Sequence, residues 1–232
     1  MSAAAATDPL LRHVDEVLTT TRAVRRRLDL ARPVPRAVLE RCLEIARQAP
    51  MAENREMARF VVIEDPAKRA AVATVYRRAI DDFVLTPLRI SAERRKAEGK
   101  PPRELPAPLQ RAMVSAKHLV DHFHEVPAQV LVGSVDRVPD SGRGPFASMF
   151  YGSVYPALWS LQLALRSRGL GSALTCIHLH YEEEVSEILG LPDDFTQVAL
   201  LPVAYTQGLD FKAARRAPAE QVVGWDGPWE TT

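Results

Sequence analysis

Read for the alternation of apolar and polar positions, the chain divides into a series of helices and four strands. The clearest helical stripe follows Pro35. Val38, Leu39, Cys42, Leu43, Ile45, Ala46 and Ala49 fall on one side, and Arg36, Glu40, Arg41, Glu44, Arg47 and Gln48 on the other, until Pro50 stops the run. Asp8-Pro9 is a good start for a helix over 9–18, with Asp8 as the cap, and Asp65-Pro66 starts another over 66–79. Residues 109–125 and 181–189 read as helices too. Apolar runs over 59–64, 126–135, 172–178 and 196–206 read as buried strands.

One further helix, expected over 153–168 and ended by Gly169, departs from the amphipathic pattern. Val154, Tyr155, Ala157, Leu158, Trp159, Leu161, Leu163, Ala164 and Leu165 cover nearly its whole circumference. A helix apolar all round must be buried on all sides, which favours a subunit interface over a central helix in a monomer. Residues 86–108 turn charged and proline-rich and read as a surface excursion or lid, and 136–149 as a loop. Residues 207–232 carry Lys212, Arg215 and Arg216 and then E-Q-V-V-G-W-D, too apolar for a free tail. Helices outnumber strands, their alternation is irregular, and no repeat is visible. The expected class is α+β, with one domain over 9–232 behind a loose tail at 1–8.

Composition narrows the setting. The 232 residues suffice for a substantial core, with 47% apolar and 25% charged positions. No run is long enough to span a bilayer, and the first residues lack a signal-peptide pattern, so a cytoplasmic protein without membrane association is expected. Cys42 and Cys176 are the only cysteines, which supports neither a disulfide framework nor a cysteine-based zinc site.

The charge is nearly balanced, with 30 Lys+Arg against 29 Asp+Glu, yet Arg22, Arg25, Arg26 and Arg27 crowd into six residues and Arg32 follows. Such a cluster is either a solvated surface run or a grip for one compact anion such as a phosphoryl group. Nucleic acid as a partner is disfavoured by the net charge of +1. His118, Asp121, His122 and Glu125 share one side of the 109–125 helix, but Ala112, Ala116, Leu119 and Phe123 form the other, so the four polar residues read as its solvent face rather than a metal site. His178 and His180 read as structural. Gly142-Arg-Gly144 and Gly169-Leu-Gly171-Ser172 fall short of either nucleotide-binding glycine motif, and no nucleophile motif appears. No side chain is an evident acid, base or nucleophile, so an enzyme of this sequence would rely on a cofactor.

Several segments taken in order are similar to the nitroreductase family of FMN-dependent oxidoreductases. They are T-R-A-V-R-R-R-L-D, then A-P-M-A-E-N at 49–54, R-F-V-V-I-E-D-P, R-S-R-G-L-G-S-A-L-T, E-E-E-V-S-E-I-L-G-L-P-D-D with V-A-L-L-P-V-A-Y, and A-R-R-A-P-A-E-Q-V-V-G-W-D. The resemblance runs from Asp15 to Trp229. It implies a three-layer sandwich with a mostly antiparallel central sheet flanked by helices, and an intertwined homodimer holding FMN at its interface, with the 207–232 arm laid on the partner.

Carried onto this sequence, the resemblance implies that Arg22 and Arg26 hold the FMN phosphate, with Ala23 and Val24 beside it and Arg215 and Arg216 reaching it from the C-terminal segment. Pro50, Met51, Ala52 and Asn54 would lie along the flavin ring, and Leu174, Thr175 and Cys176 would face it from a strand end. The implied reaction is ping-pong hydride transfer from NADH or NADPH through flavin N5 to a small-molecule acceptor of nitroaromatic or quinone type, with no catalytic side chain and no metal. Met51, Glu56 and Ala58 stand where the family usually has a hydroxyl residue, a glutamine and often a tryptophan. Two alternatives follow: a specialised flavin-dependent dehydrogenase or reductase of a biosynthetic pathway, or a flavin-binding or flavin-sequestering protein that does not turn over.

Overall fold

The structure, a computed structural model, describes residues 9–138 and 143–229. The expected tail at 1–8, the Asp8 cap and part of the 136–149 loop, Gly142 included, lie outside the described residues. Arg22–Leu209 forms one compact unit. The flanking segments, up to Thr21 and from Asp210 onward, form a second and smaller one.

In the larger unit, four strands make one antiparallel sheet. They are β1 (Ala58–Ile63), β2 (Ala128–Ser134), β3 (Leu170–Ser172) and β4 (Thr196–Tyr205), ordered β1-β2-β4-β3. The register sets Val61 opposite Leu131 and Leu131 opposite Leu200. Both central strands, β2 and β4, are buried almost throughout, so they read as continuous apolar runs rather than alternating ones.

Helices cover both faces. On one lie α2 (Arg36–Ala46) and α6 (Gly144–Arg166), whose Leu39, Cys42, Phe150, Val154, Leu158, Leu161 and Leu165 pack on Val130, Val132, Leu201 and Val203. On the other lie α3 (Pro66–Ile80), α5 (Ala107–His122) and α7 (Glu182–Leu189). Polar links mark that side. Gln129 of β2 donates to Phe123 O at 3.1 Å, and Gln197 of β4 donates to Glu182 O at 2.8 Å. Each buried amide thereby finds a carbonyl instead of water. The expected α+β class and three-layer sandwich are what the chain adopts.

Three expectations are corrected. The helix expected from 153 begins at Gly144, because Pro145 suits its first turn and Ala147 and Phe150 continue the buried stripe. In the single chain its Tyr155 and Trp159 are 39% and 42% exposed, a surface that the expected subunit interface would cover. The 86–108 excursion is helical in its first half, since a π-type turn, Asp81–Leu85, runs from α3 into α4 (Thr86–Ala97), where Pro87 occupies the first turn. No residue of α4 is buried, so the charges that mark it as surface do not prevent a helix. The strand expected over 172–178 stops at Ser172, touches Leu200 once more through Thr175, and becomes a 3₁₀ helix, Ile177–Tyr181.

The smaller unit contains α1 (Pro9–Thr20), backbone without regular structure from Asp210 and a 3₁₀ turn, Ala219–Gln221. Among the described residues no helix is long and apolar enough to cross a membrane.

Candidate flavin site

The arginine stretch is a bend fixed at both ends. Ala23 pairs in parallel with Ser172, and Val24 N–H donates to Ser172 O at 2.8 Å. Leu28 pairs with Thr206, and Asp29 N–H donates to Tyr205 O at 2.8 Å. Segment 22–28 thus lies along the β3 edge and then turns to the end of β4. Gly171 permits this approach, because a Cβ there would come 2.9 Å from Val24 Cβ and 2.6 Å from Thr206 Cγ2.

The five arginines differ in what they do. Arg27 Nε donates to Gln207 O at 2.8 Å, and the Arg32 guanidinium sits 3.5 Å from the centre of the Tyr205 ring, so both tie the bend to the sheet. Arg22 and Arg26 are exposed. Arg25 is half-buried and shares a neighbourhood with Tyr76 and Cys176. Burial pushes the Tyr76 hydroxyl up to about 12, with Arg25 pulling the other way and Cys176 adding to the rise.

The 50–56 loop is pinned from several sides. Met51 is extended, and the 3₁₀ turn Ala52–Asn54 that follows carries Glu53 (φ 57°) and Asn54 (φ 53°) in the left-handed region. Asparagine tolerates that region, whereas glutamate is strained there by about 1 kcal/mol. Ala52 N–H donates to Ser153 Oγ at 3.0 Å and Met57 N–H to Met51 Sδ at 3.3 Å. Arg55 Nη2 reaches both Asp136 carboxylate oxygens at 3.1 Å. Glu56 is held by Arg47, whose hydrogen bond and charge keep its carboxyl below the usual range, with the Arg59 charge helping; Arg59 itself donates to the Glu56 and Ala58 carbonyls. Pro50, Met51 and Asn54, with Arg47, Gln48 and Arg55, line an open groove of about 820 Å³.

Beyond β3, Leu174 is exposed and Thr175 is locked to Leu200, its N–H donating to Leu200 O at 3.0 Å and its carbonyl accepting from Leu200 N–H at 2.9 Å. Cys176 Sγ approaches Val198 O at 3.6 Å, and burial pushes the thiol up, which disfavours a thiolate there. Tyr155 is pushed up by burial as well, with Cys176 and Tyr151 adding to it, so the exposed aromatic stripe of α6 borders this strand end.

The structure therefore brings together Arg22, Ala23, Val24 and Arg26 with β3 and the residues that follow it. It attaches the loop of Met51 and Asn54 to α6 through Ala52. The same helix touches both parts: Ser153 holds Ala52, and Gln162 Nε2 donates to Ser172 Oγ at 3.1 Å. Arg215 and Arg216 are exposed and belong to the smaller unit. Arg25 belongs to the arginine cluster read from the sequence, though the resemblance gives it no place at the phosphate, and Ser153 and Gln162 are absent from the residues the sequence pointed to. The signal for the last two was present, since a polar side chain within a helix expected to be buried must have a partner.

Elsewhere, His122 Nδ1 meets Glu125 Oε1 at 2.8 Å and Lys117 Nζ meets Asp121 Oδ2 at 2.6 Å, on the outer side of α5. Among the described residues no three metal-competent side chains converge. His178 is fully buried, and neither ring nitrogen has a partner among the described residues.

Known proteins resemble this chain over most of its length. A protein of Thermus thermophilus named NADH dehydrogenase is 30% identical over 203 residues, covering 83% of this chain and 87% of its own. The 5,6-dimethylbenzimidazole synthase of Rhodospirillum rubrum is 28% identical over 179 residues, covering 75% and 73%. Among solved structures, iodotyrosine deiodinase bound to FMN and 3-iodo-L-tyrosine superposes with a TM-score of 0.65 at 21% identity, covering 93% of this chain and all of the other, a likeness of fold. The model of the nitroreductase family matches residues 18–205. That span contains the whole sheet, the arginine bend and the pinned loop, and on it the chain belongs to the nitroreductase family.

Proposed function

We propose that this protein is an FMN-dependent oxidoreductase that draws electrons from NADH or NADPH and passes them to a small organic acceptor. The observation that carries the reading is the docked bend, in which exposed Arg22 and Arg26, with half-buried Arg25, are held against the β3 edge two residues before Leu174. The donor set suits the group. A phosphate dianion calls for several guanidinium groups with paired N–H donors, and a ring calls for a flat, partly apolar wall. Pro50, Met51 and Ala52 on one side and Leu174 to Cys176 on the other offer such a wall.

A bound FMN would supply two-electron redox chemistry between the nicotinamide donor and the acceptor. The chain's own part is to bind and orient. Arg22 and Arg26 would neutralise the phosphate, with Ala23 and Val24 beside it. Asn54, presented by its left-handed backbone, would supply a directed amide. Cationic groups nearby favour negative charge developing on the ring. The family likeness suggests a homodimer, which the exposed Tyr151, Tyr155 and Trp159 would help to close. Arg215 and Arg216 would reach the phosphate from the C-terminal arm.

The test is the visible spectrum of the purified protein, followed anaerobically on addition of NADH or NADPH. Flavin bands that bleach are expected, and they should be absent from the double variant Arg22→Ala with Arg26→Ala. A double variant that keeps stoichiometric flavin overturns the phosphate assignment, and a wild-type protein that stays colourless with added FMN overturns the function.

A second reading, a dedicated enzyme of a biosynthetic pathway, is favoured by Met51. Its sulfur accepts from Met57 N–H, so a thioether occupies a place where the family usually offers a hydroxyl. The similarity to a synthase points the same way. On that reading, fully flavin-loaded protein turns over generic nitroaromatics poorly.

A further inference from the structure

We infer that Ser153 is a positioning residue, and that its hydroxyl on α6 fixes where the 50–54 loop can sit along the flavin. The inference rests on the reading of that loop given above. It starts from a single buried oxygen. Ser153 is fully buried, and its Oγ lies 2.8 Å from Met149 O and 3.0 Å from Ala52 N. A carbonyl only accepts, so the one hydroxyl proton is committed to Met149 O. That leaves the Oγ lone pairs for the Ala52 N–H. The direction of the second bond is thus set by the helix, not by the loop.

The loop depends on that bond more than its length suggests. Ala52 opens the 3₁₀ turn, so its N–H has no partner within the turn. Glu53 and Asn54 then occupy the left-handed region in succession, a conformation that persists only under outside restraint. The other pins act later and from the surface: Arg47 on Glu56 and Arg55 on Asp136 join exposed or half-exposed side chains, which hold weakly in water. The Met51–Met57 contact has a thioether acceptor, a poor one. Among the described residues, Ser153 gives the loop its one fully buried side-chain acceptor. Its helix also holds Ser172 through Gln162, so the ring-side loop and the strand beside the arginine bend are referenced to one rigid element.

The test compares wild type, Ser153→Ala, Ser153→Thr and Ala52→Pro in the full-length protein. The readouts are FMN dissociation constant, shape of the bound-flavin visible spectrum, and folding of the flavin-free protein by circular dichroism. Ala52→Pro deletes the donor, and Met51 already has the extended conformation (ψ 147°) that a residue before proline prefers. The proline ring must push Ser153 Oγ aside, so this variant breaks the bond from the loop side and adds a steric load that Ser153→Ala relieves. Ser153→Ala and Ala52→Pro are each expected to weaken FMN binding about tenfold and alter the spectrum alike, their combination to be no worse than either, and Ser153→Thr to restore binding. A purely structural role would lower stability without moving the spectrum. The proposal is overturned if flavin-loaded Ser153→Ala binds within twofold of wild type with an unchanged spectrum, or if the two effects multiply. Should Ser153→Ala not fold, Ala52→Pro reads the same bond, and wild-type affinity in that variant overturns the proposal. Wild-type protein that takes up no FMN sinks this inference together with the function; loaded wild type beside an indifferent Ser153→Ala sinks this inference alone.

Discussion

His178 shows how one buried side chain can set a pH dependence. Burial lowers its folded-state value from an ordinary 6.5 to about 4, since neither ring nitrogen has a partner to steady a charge. The unfolded chain therefore binds a proton that the folded one refuses between those two values. Stability is fully present above pH 6.5 and falls as pH drops from 6.5 to about 4, by about 3 kcal/mol over the window. Denaturant unfolding at pH 7, 5.5 and 4.5 should show this slope, and His178→Leu should flatten it. The depressed carboxyls of Glu56, Glu98 and Asp121 give up their stabilisation from their ordinary values of 4.5, 4.5 and 3.8 downward. That overlaps only the foot of the range and is shared by the variant, so the difference between the two proteins isolates His178. An unchanged slope in the variant would mean that another group carries the acid sensitivity. The arginines make a related point at the same scale: of five in one stretch, Arg27 and Arg32 hold the bend to the end of β4, a task that their spacing in the sequence does not announce.

Among elements, α6 and the loop it holds have opposite characters. Pro156 lies inside α6, where it removes the N–H that Gly152 O would receive, yet the helix continues because Val154, Leu158, Leu161 and Leu165 are buried on the sheet. The loop buries little and stores strain instead. Glu53 is exposed at φ 57°, and its contact with Arg55 at 3.8 Å lies in solvent and contributes little. Glu53→Gly should therefore stabilise the flavin-free protein by about 0.5–1 kcal/mol, raising its thermal midpoint by roughly 1–4 °C. A lowered midpoint would show that the left-handed backbone at Glu53 costs the chain nothing.

For the molecule as a whole, the exposed aromatic stripe on α6 is the feature a lone chain explains least. Tyr151, Tyr155 and Trp159 stand four residues apart, partly exposed, beside the strand end that the proposed function sets against the flavin. If a second copy covers this stripe, Trp159→Arg should convert a dimer to a monomer and weaken flavin retention by at least tenfold, because desolvating a guanidinium at an apolar interface is unfavourable. Sedimentation at micromolar concentration checks the first outcome and absorbance after dialysis the second. A monomeric wild type would remove the basis for joining oligomer and cofactor site.

Local pattern was enough to define the core. Period-3.6 stripes at α2 and α5 and the apolar runs at β1, β2 and β4 depend on neighbours within one or two turns, and they appear where the sequence placed them. The arginine bend was legible as a short run of unusual composition, whereas the segments carrying Asn54 and Cys176 came into view only through the order of segments shared with the nitroreductase family. What the chain alone could not show depends on contacts between distant residues. The Arg47–Glu56 pairing, the early end of β3 once residues 23 and 24 take its edge, the half-burial of Arg25 and the bond from Ser153 to Ala52 all join segments that sequence spacing does not relate. Hydrophobic periodicity reports which face of an element avoids water. Only packing decides what that face meets, and thus which polar group is left needing a partner.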